Sequence, residues 1–431
     1  MKQIMLFGLM LIMLVGCGQQ NTNMPTTVQN GPSQMGDTAL SNDKQTVTIA
    51  IPAIDENMDI ESSISGELYD IITKYNNQSN LYQIVPVMYT SETALQLMIS
   101  SKAVDIINWG DSILQQSDGP NAQIYAAKGY LIDLESLSKY NVINGSELLD
   151  VIVDLEKDTY GGLYTLPLSF YGRTLIGKTK YVGYQSGWTL SDVINVSKKL
   201  PEDMVLYSAI TKSQFLELML DCIINDFVDL KAKTIDFHNS EFYELLELCN
   251  NCFPGKLSDD MYSTEALLYV APLQECAGIF GESVLATADE SGICAIGYPL
   301  REGAKGNGVN LVFVNELSIC SNSEHLEGAI DFLSYAFSTE IQKSNFMFSP
   351  VQSIFEDREK EYLSKSSTCT KELSDEAVGY IYNASSIAMR RSPISMIVLE
   401  EAEAFFNGDK TVEEVADIIQ SRSEIFLNEQ Y

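Results

Sequence analysis

The alternation of short strands with amphipathic helices just after residue 45 is the feature that most restricts the fold. Residues 46–53 alternate apolar and polar side chains like a half-buried strand. Leu68, Ile71, Ile72 and Tyr75 then recur at helical spacing. A strand over 83–89, a helix carrying Leu95, Met98 and Ile99, and an apolar strand over 104–108 follow. A β-α-β-α-β order builds a parallel sheet with helices on its faces, and such sheets take ligands beyond the carboxyl ends of their strands. The loop that begins at Trp109 lies at one of those ends.

Later segments add helices. Trp188 precedes one carrying Leu190, Val193 and Ile194, and Ser323 is placed to cap another that runs through Leu326, Ala329, Ile330, Leu333 and Phe337. Thr411 and Glu414 have the spacing of a capping box, and Gly408 can close the helix before it. At 431 residues the chain exceeds what one core organises, so two lobes are expected. An apolar fraction of 45% with 22 Tyr and 17 Phe is enough to build them. Against 27 Lys and Arg stand 59 Asp and Glu, a net charge of −32 that repels phosphate. It argues against nucleic acid as a partner and against lying flat on an anionic bilayer.

The first residues place the chain. One Lys precedes an apolar run over 4–15, too short for a permanent span, as expected of a signal peptide over 1–16. Leu14, Val15, Gly16 and Cys17 resemble the bacterial lipobox, which implies lipidation of Cys17 and a cell-membrane anchor facing the extracellular side. Residues 17–44, rich in Gln, Asn, Thr, Ser, Pro and Gly, are expected to be a disordered tether. Seven further Cys cannot all pair within one chain. Cys249 and Cys252 have redox or metal spacing, yet they follow Phe242, Leu245 and Leu246 on one helical stripe, and a packed thiol explains them as well. With only His238 and His325 in the chain, no metal site and no cofactor are expected.

The order of several stretches resembles the extracellular solute-binding proteins of family 1, the maltose-binding-like class. They are a small residue and Asp105 before an apolar strand, the Gly129–Leu134 turn, Tyr160 through Pro167, and Gly187-Trp188 before a helix. Tyr298-Pro299-Leu300, the strand over 311–320, the helix over 329–337, and Phe405 through Glu429 complete the set. The resemblance implies an α/β, two-lobed periplasmic-binding-protein-like fold of type II, with two α/β lobes joined by crossover strands near 169–173 and 313–317. Residues 45–170 with 316–362 would form one lobe, and 171–315 with 363–431 the other. It implies a monomeric solute-capturing component of an ABC importer, closing on a carbohydrate by hinge bending and working with permease subunits in the membrane.

Other chemistry has little support. Gly172 through Thr179 formally matches a phosphate-binding loop, but Thr174-Leu175-Ile176 prefers extended structure, and residues 180–187 are broken by Gly rather than helical. No nucleophile elbow occurs. A membrane-anchored glycan-degrading enzyme with paired carboxylates is the second choice, since only geometry identifies such a pair. A binding protein for a non-sugar solute, a peptide or a polyamine, stays open beside it, and an adhesion or interaction lipoprotein without a small ligand is the third hypothesis. For sugar recognition, aromatic faces and planar polar groups are required. Trp109 and Asp111 after the third strand, Tyr171 and Arg173 in the first crossover, Asn315 and Glu316 in the second, and Glu56 after the first strand are the candidate ligand-binding residues. Trp188 is expected to bury its ring instead.

Overall fold

In the computed structural model, residues 44–53, 59–111, 122–140, 147–183, 187–202, 204–207, 209–229, 232–257, 265–273, 293–304, 306–344, 347–365, 371–388 and 392–430 are described. Cys17, the expected tether but for its last residue, and Glu56 lie outside them. No described helix is long and apolar enough to cross a membrane.

The chain begins β1 (Gln45–Pro52), α1 (Ile60–Ser63), α2 (Gly66–Gln78), β2 (Tyr82–Tyr89), α3 (Glu92–Ser100), β3 (Ile106–Asn108), α4 (Ala122–Ala127) and α5 (Asp150–Tyr160). Then come β4 (Leu166–Lys178), α6 (Thr179–Val182), α7 (Leu190–Ser197), β5 (Met204–Tyr207), α8 (Lys212–Phe227), β6 (Val228–Asp229), β7 (Thr234–Ile235), α9 (Ser240–Cys252), β8 (Glu265–Pro272) and β9 (Ile293–Ala295). The last part carries β10 (Asn310–Ile319), α10 (Leu326–Ala336), α11 (Thr339–Ser344), α12 (Gln352–Lys365), α13 (Lys371–Tyr382), β11 (Ser386–Ile387), α14 (Pro393–Phe406) and α15 (Val412–Gln430).

One sheet runs in the order β2-β1-β3-β10-β4-β8-β5. β1 pairs in parallel with β2 and β3, and β5 in parallel with β8, as helices between strands require. The long central strands β4 and β10 are antiparallel to each other and join those two parallel ends. Their side chains divide accordingly. Leu166, Leu168, Leu317 and Ile319 belong to a core with Val47, Ile49, Leu68, Ile72 and Phe332. Leu175 belongs to another, with Trp188, Phe215, Phe237, Leu246 and the α14–α15 residues Val398, Val415 and Ile419. These are the two lobes. A third core, with Trp109, Tyr125, Ile152, Phe170, Phe313, Phe355 and Ile381, draws on segments from both sides of the crossovers, and through it α5 packs against α13 and β11.

Local choices explain much of this. The Asp105 carboxylate, 2% exposed, accepts from Thr48 N–H at 2.9 Å and from Ser323 Oγ at 2.7 Å. It thereby ties β3 to β1 and to the turn before α10. Ser323 lies two residues before the N-cap of α10, which is His325: the Ser323 hydroxyl donates to Asp105 and accepts from His325 N–H at 3.1 Å, and the His325 ring meets Asp105 Oδ2 at 3.3 Å instead of capping the helix. The Thr411–Glu414 capping box forms in both directions, at 2.9 and 3.2 Å. Trp188 is 1% exposed and its indole N–H donates to Gly297 O at 2.9 Å. Residues 172–178 run as the second half of β4, so the formal phosphate-loop pattern has neither the turn nor the helix start it needs.

Candidate functional site

The polar side chains that converge do so where β3 ends beside β10 and β4, facing the start of α2. Ser65 caps α2, its Oγ accepting from Leu68 N–H at 3.2 Å. The same hydroxyl donates to Asn315 Oδ1 at 3.0 Å. Asn315 Nδ2 donates to Glu67 Oε2 at 3.2 Å, and Ser169 Oγ donates to that oxygen at 3.1 Å. The second oxygen of Glu67, Oε1, is buried with no hydrogen-bond partner among the described residues. Asn108 Nδ2 approaches Asn315 Oδ1 at 3.5 Å, and Asn315 N–H donates to Asp111 Oδ1 at 3.3 Å.

Asn315 is the hub of this network because its backbone leaves the strand. Its φ is 52°, in the left-handed region, and the β10–β4 ladder pairs Val314 with Ser169 and Glu316 with Pro167 but not residue 315. An amide at such a point can hold groups from α2 and β3 that regular pairing would keep apart.

The electrostatics are those of partly buried acids. Burial raises the Glu67 carboxyl above its ordinary range; the Asp111 charge adds to this, while Ser169, Asn315 and the Arg358 charge oppose it. Burial likewise raises Asp111, opposed by the Asn315 N–H. Tyr171 has its hydroxyl raised by burial, with Arg173 acting against the shift and Asp111 with it. Arg173 lies over the Tyr298 ring at 5.5 Å and its charge also reaches Tyr207. Tyr269, 37% exposed, acts on Tyr207 from β8. The arrangement offers carboxylate and amide groups around Asn315 and a group of tyrosines around Arg173.

Of the residues expected from sequence, Asp111, Tyr171, Arg173 and Asn315 lie in this neighbourhood. Trp109 and Glu316 face elsewhere. Trp109 is 3% exposed, meets Tyr125 edge-on with ring centroids 5.4 Å apart, and donates its indole N–H to Ser318 Oγ at 2.8 Å. Strand alternation is the reason: Trp109 follows Ile107 into the third core, and Asn108 between them turns to Asn315. Glu316, next to Asn315, is fully buried for the same reason. Sequence reasoning missed Glu67, Ser65, Asn108 and Ser169. The only signal for the first two was a Ser and an acid at a helix start that faces the strand ends.

Among the described residues no group of three or more His, Cys, Asp or Glu could hold a metal ion. Cys249 is fully buried and its thiol pushed far up by burial, the opposite of a reactive thiolate. A cavity of about 400 Å³ lined by Gly306, Asn307, Glu376, Gly379, Tyr380 and Asn383 opens elsewhere. There the Asn307 amide and Tyr380 hydroxyl are already spent on the carbonyls of Tyr380 and Ala295.

No protein-family model matches the chain, and no curated protein matches it. Solved structures do resemble it. A sugar transporter from Rhizobium etli in an open conformation is 14% identical, with a TM-score of 0.56 over 88% of this chain and 99% of that one. An ABC substrate-binding protein from Listeria monocytogenes in complex with cycloalternan is 17% identical, with a TM-score of 0.53 over 90% and 99%. The sugar-binding protein MalE from Xanthomonas citri is 12% identical, with a TM-score of 0.57 over 89% and 98%. At these identities the likeness is one of fold, and it spans nearly the whole of each chain.

Proposed function

We propose that this chain, which has the two-lobed α/β fold of those sugar-binding proteins, is the solute-capturing component of an ABC importer for a carbohydrate. The observation that carries the reading is the Ser65–Glu67–Asn315–Ser169 network with Asp111 beside it, together with the tyrosines around Arg173. Sugars require this combination: carboxylate and amide groups take pairs of hydroxyls, and ring faces take C–H surfaces. Both Trp side chains are buried, so Tyr171, Tyr207 and Tyr269 supply the aromatic surface. The lobes are 45–170 with 316–362 and 171–315 with 363–431, and they close on the solute about β4 and β10. Lipidated Cys17 anchors the protein to the outer side of the cell membrane, where it meets permease subunits.

A thermal-shift screen of mono- and oligosaccharides tests this. A sugar at about 100 times its Kd stabilises the protein by about 2.7 kcal/mol, and Tyr171→Ala abolishes the shift. If peptides or polyamines shift melting and no sugar does, the carbohydrate assignment is wrong.

One observation favours a second reading: the Asp111 charge acts on the Glu67 carboxyl, so two acids stand near each other as in a glycan-degrading enzyme. That reading requires released product in the same incubations, which the importer component does not generate.

A further inference from the structure

The cavity of about 400 Å³ opens between the end of α13 and the loop that leads into β10, and it shares no residue with the Asn315 network. Gly306 and Asn307 line it from the loop; Glu376, Gly379, Tyr380 and Asn383 line it from the other side. Those four recur at spacings of three and four, so they form one face of α13 and of the turn that ends it. The two walls are fixed to each other. Asn307 Nδ2 donates to Tyr380 O at 2.9 Å, Gly308 N–H donates to Ser385 Oγ at 2.9 Å, and Ser385 N–H donates to Val309 O at 2.7 Å. The volume falls in the range of small-molecule sites, which are usually preformed.

The groups on those walls suit a donor, and a positive one. Asn383 Nδ2 donates to Gly379 O at 2.8 Å and Tyr380 Oη to Ala295 O at 3.2 Å, so these donors, like the Asn307 amide, already have protein acceptors. Asn307 Oδ1 accepts from Val309 N–H at 2.9 Å. The acceptors left to a ligand are the Asn383 oxygen and the Glu376 carboxylate, which the Tyr380 hydroxyl approaches only to 3.5 Å. The cavity also lies at the C-terminal end of 12-residue α13, the negative pole of the helix dipole. Gly379 is an independent sign. A β-carbon there would meet no atom within 4 Å, and its backbone is not left-handed, so neither a close approach nor a turn requires glycine. Glycine inside a helix is otherwise unfavourable. Here its missing side chain leaves the middle of the wall open. Gly306 opposite differs: at a φ of 114° its β-carbon would stand 2.3 Å from Ser385 Oγ.

We propose that this cavity is a second ligand site, which takes the ammonium group of a small organic cation. An ammonium brings three donors and no acceptor, which matches walls whose free groups only accept. The Glu376 carboxylate supplies the opposite charge, and Tyr380 lines the same cavity with an aromatic ring. A neutral polyol lacks the charge and brings acceptors that no free donor on these walls meets. The site is independent of the carbohydrate reading, since none of its residues belongs to the Asn315 network or to the tyrosines around Arg173.

Calorimetry of the full chain with putrescine tests this, with butanediol as the uncharged counterpart. The diamine should bind and the diol should not, and hydrogen exchange should slow over 306–309 and 376–385 when the diamine is present. A chain of net charge −32 attracts any cation diffusely, so two variants decide whether the binding is local. Glu376→Gln, at an exposed position, should weaken binding by about tenfold or more. Gly379→Leu places a side chain in the open wall and should abolish binding without lowering the melting temperature. Unchanged affinity in Glu376→Gln, equal binding of the diol, no binding of the diamine, or slowed exchange only outside those two segments overturns the proposal. A sugar screen that comes back empty would sink the importer function and leave these results standing.

Discussion

Replacing Asn315 by glycine and by alanine separates the two things that residue does. Its backbone holds a φ of 52°, and its side chain accepts from Ser65 Oγ at 3.0 Å and donates to Glu67 Oε2 at 3.2 Å. Glycine keeps the backbone and deletes the amide. The neutral bond contributes about 1 kcal/mol and the one to the carboxylate about 1.5–3 kcal/mol, so Asn315→Gly should destabilise by about 2–4 kcal/mol. Alanine loses the same bonds and adds about 1–2 kcal/mol for a β-carbon in the left-handed region. The greater freedom of glycine in the unfolded chain takes back roughly 0.5–1 kcal/mol. A gap of about 1 kcal/mol, with glycine the more stable, is the diagnostic quantity. Urea unfolding followed by far-ultraviolet circular dichroism measures it, provided both variants share one m-value. An alanine variant as stable as the glycine one would refute a left-handed residue 315, and with it the explanation of why the network assembles there.

Three further outcomes are expected. Trp109→Ala should cost about 3–5 kcal/mol in unfolding experiments by leaving a void against Tyr125, a loss of stability where a cleft residue would show only a loss of affinity. Gly308→Ala should prevent folding to a soluble monomer, as judged by gel filtration: the new β-carbon would stand 2.1 Å from Tyr298 O at a φ of +73°. Glu67→Gln should weaken solute binding by roughly tenfold in calorimetry while raising stability above the ordinary carboxyl range. The sign follows from the raised carboxyl, whose contribution in the wild type declines as pH rises and is absent from the amide. A stability gain over wild type that failed to grow as pH rises would contradict it.

The alternation of strand and helix periods was legible along the chain because burial on one face imposes it residue by residue, and the structure realises it in β1, α2, β2, α3 and β3. Pattern also rejected the phosphate loop at 172–179, since local preference for extended structure acts within those residues. What local pattern does not encode is which face of a strand meets which neighbour. On β3, three residues long, the parity of a single position decides whether Trp109 or Asn108 turns toward Asn315, and only pairing with Leu317 fixes it. Glu67 and Asn315 stand 248 residues apart and share a hydrogen bond because two crossovers bring α2 and β10 together. The buried Glu156 carboxyl is likewise a tertiary fact: the residue is ordinary in its own segment, and only removal from water, with the Glu316 charge acting on it, raises the cost of its charge.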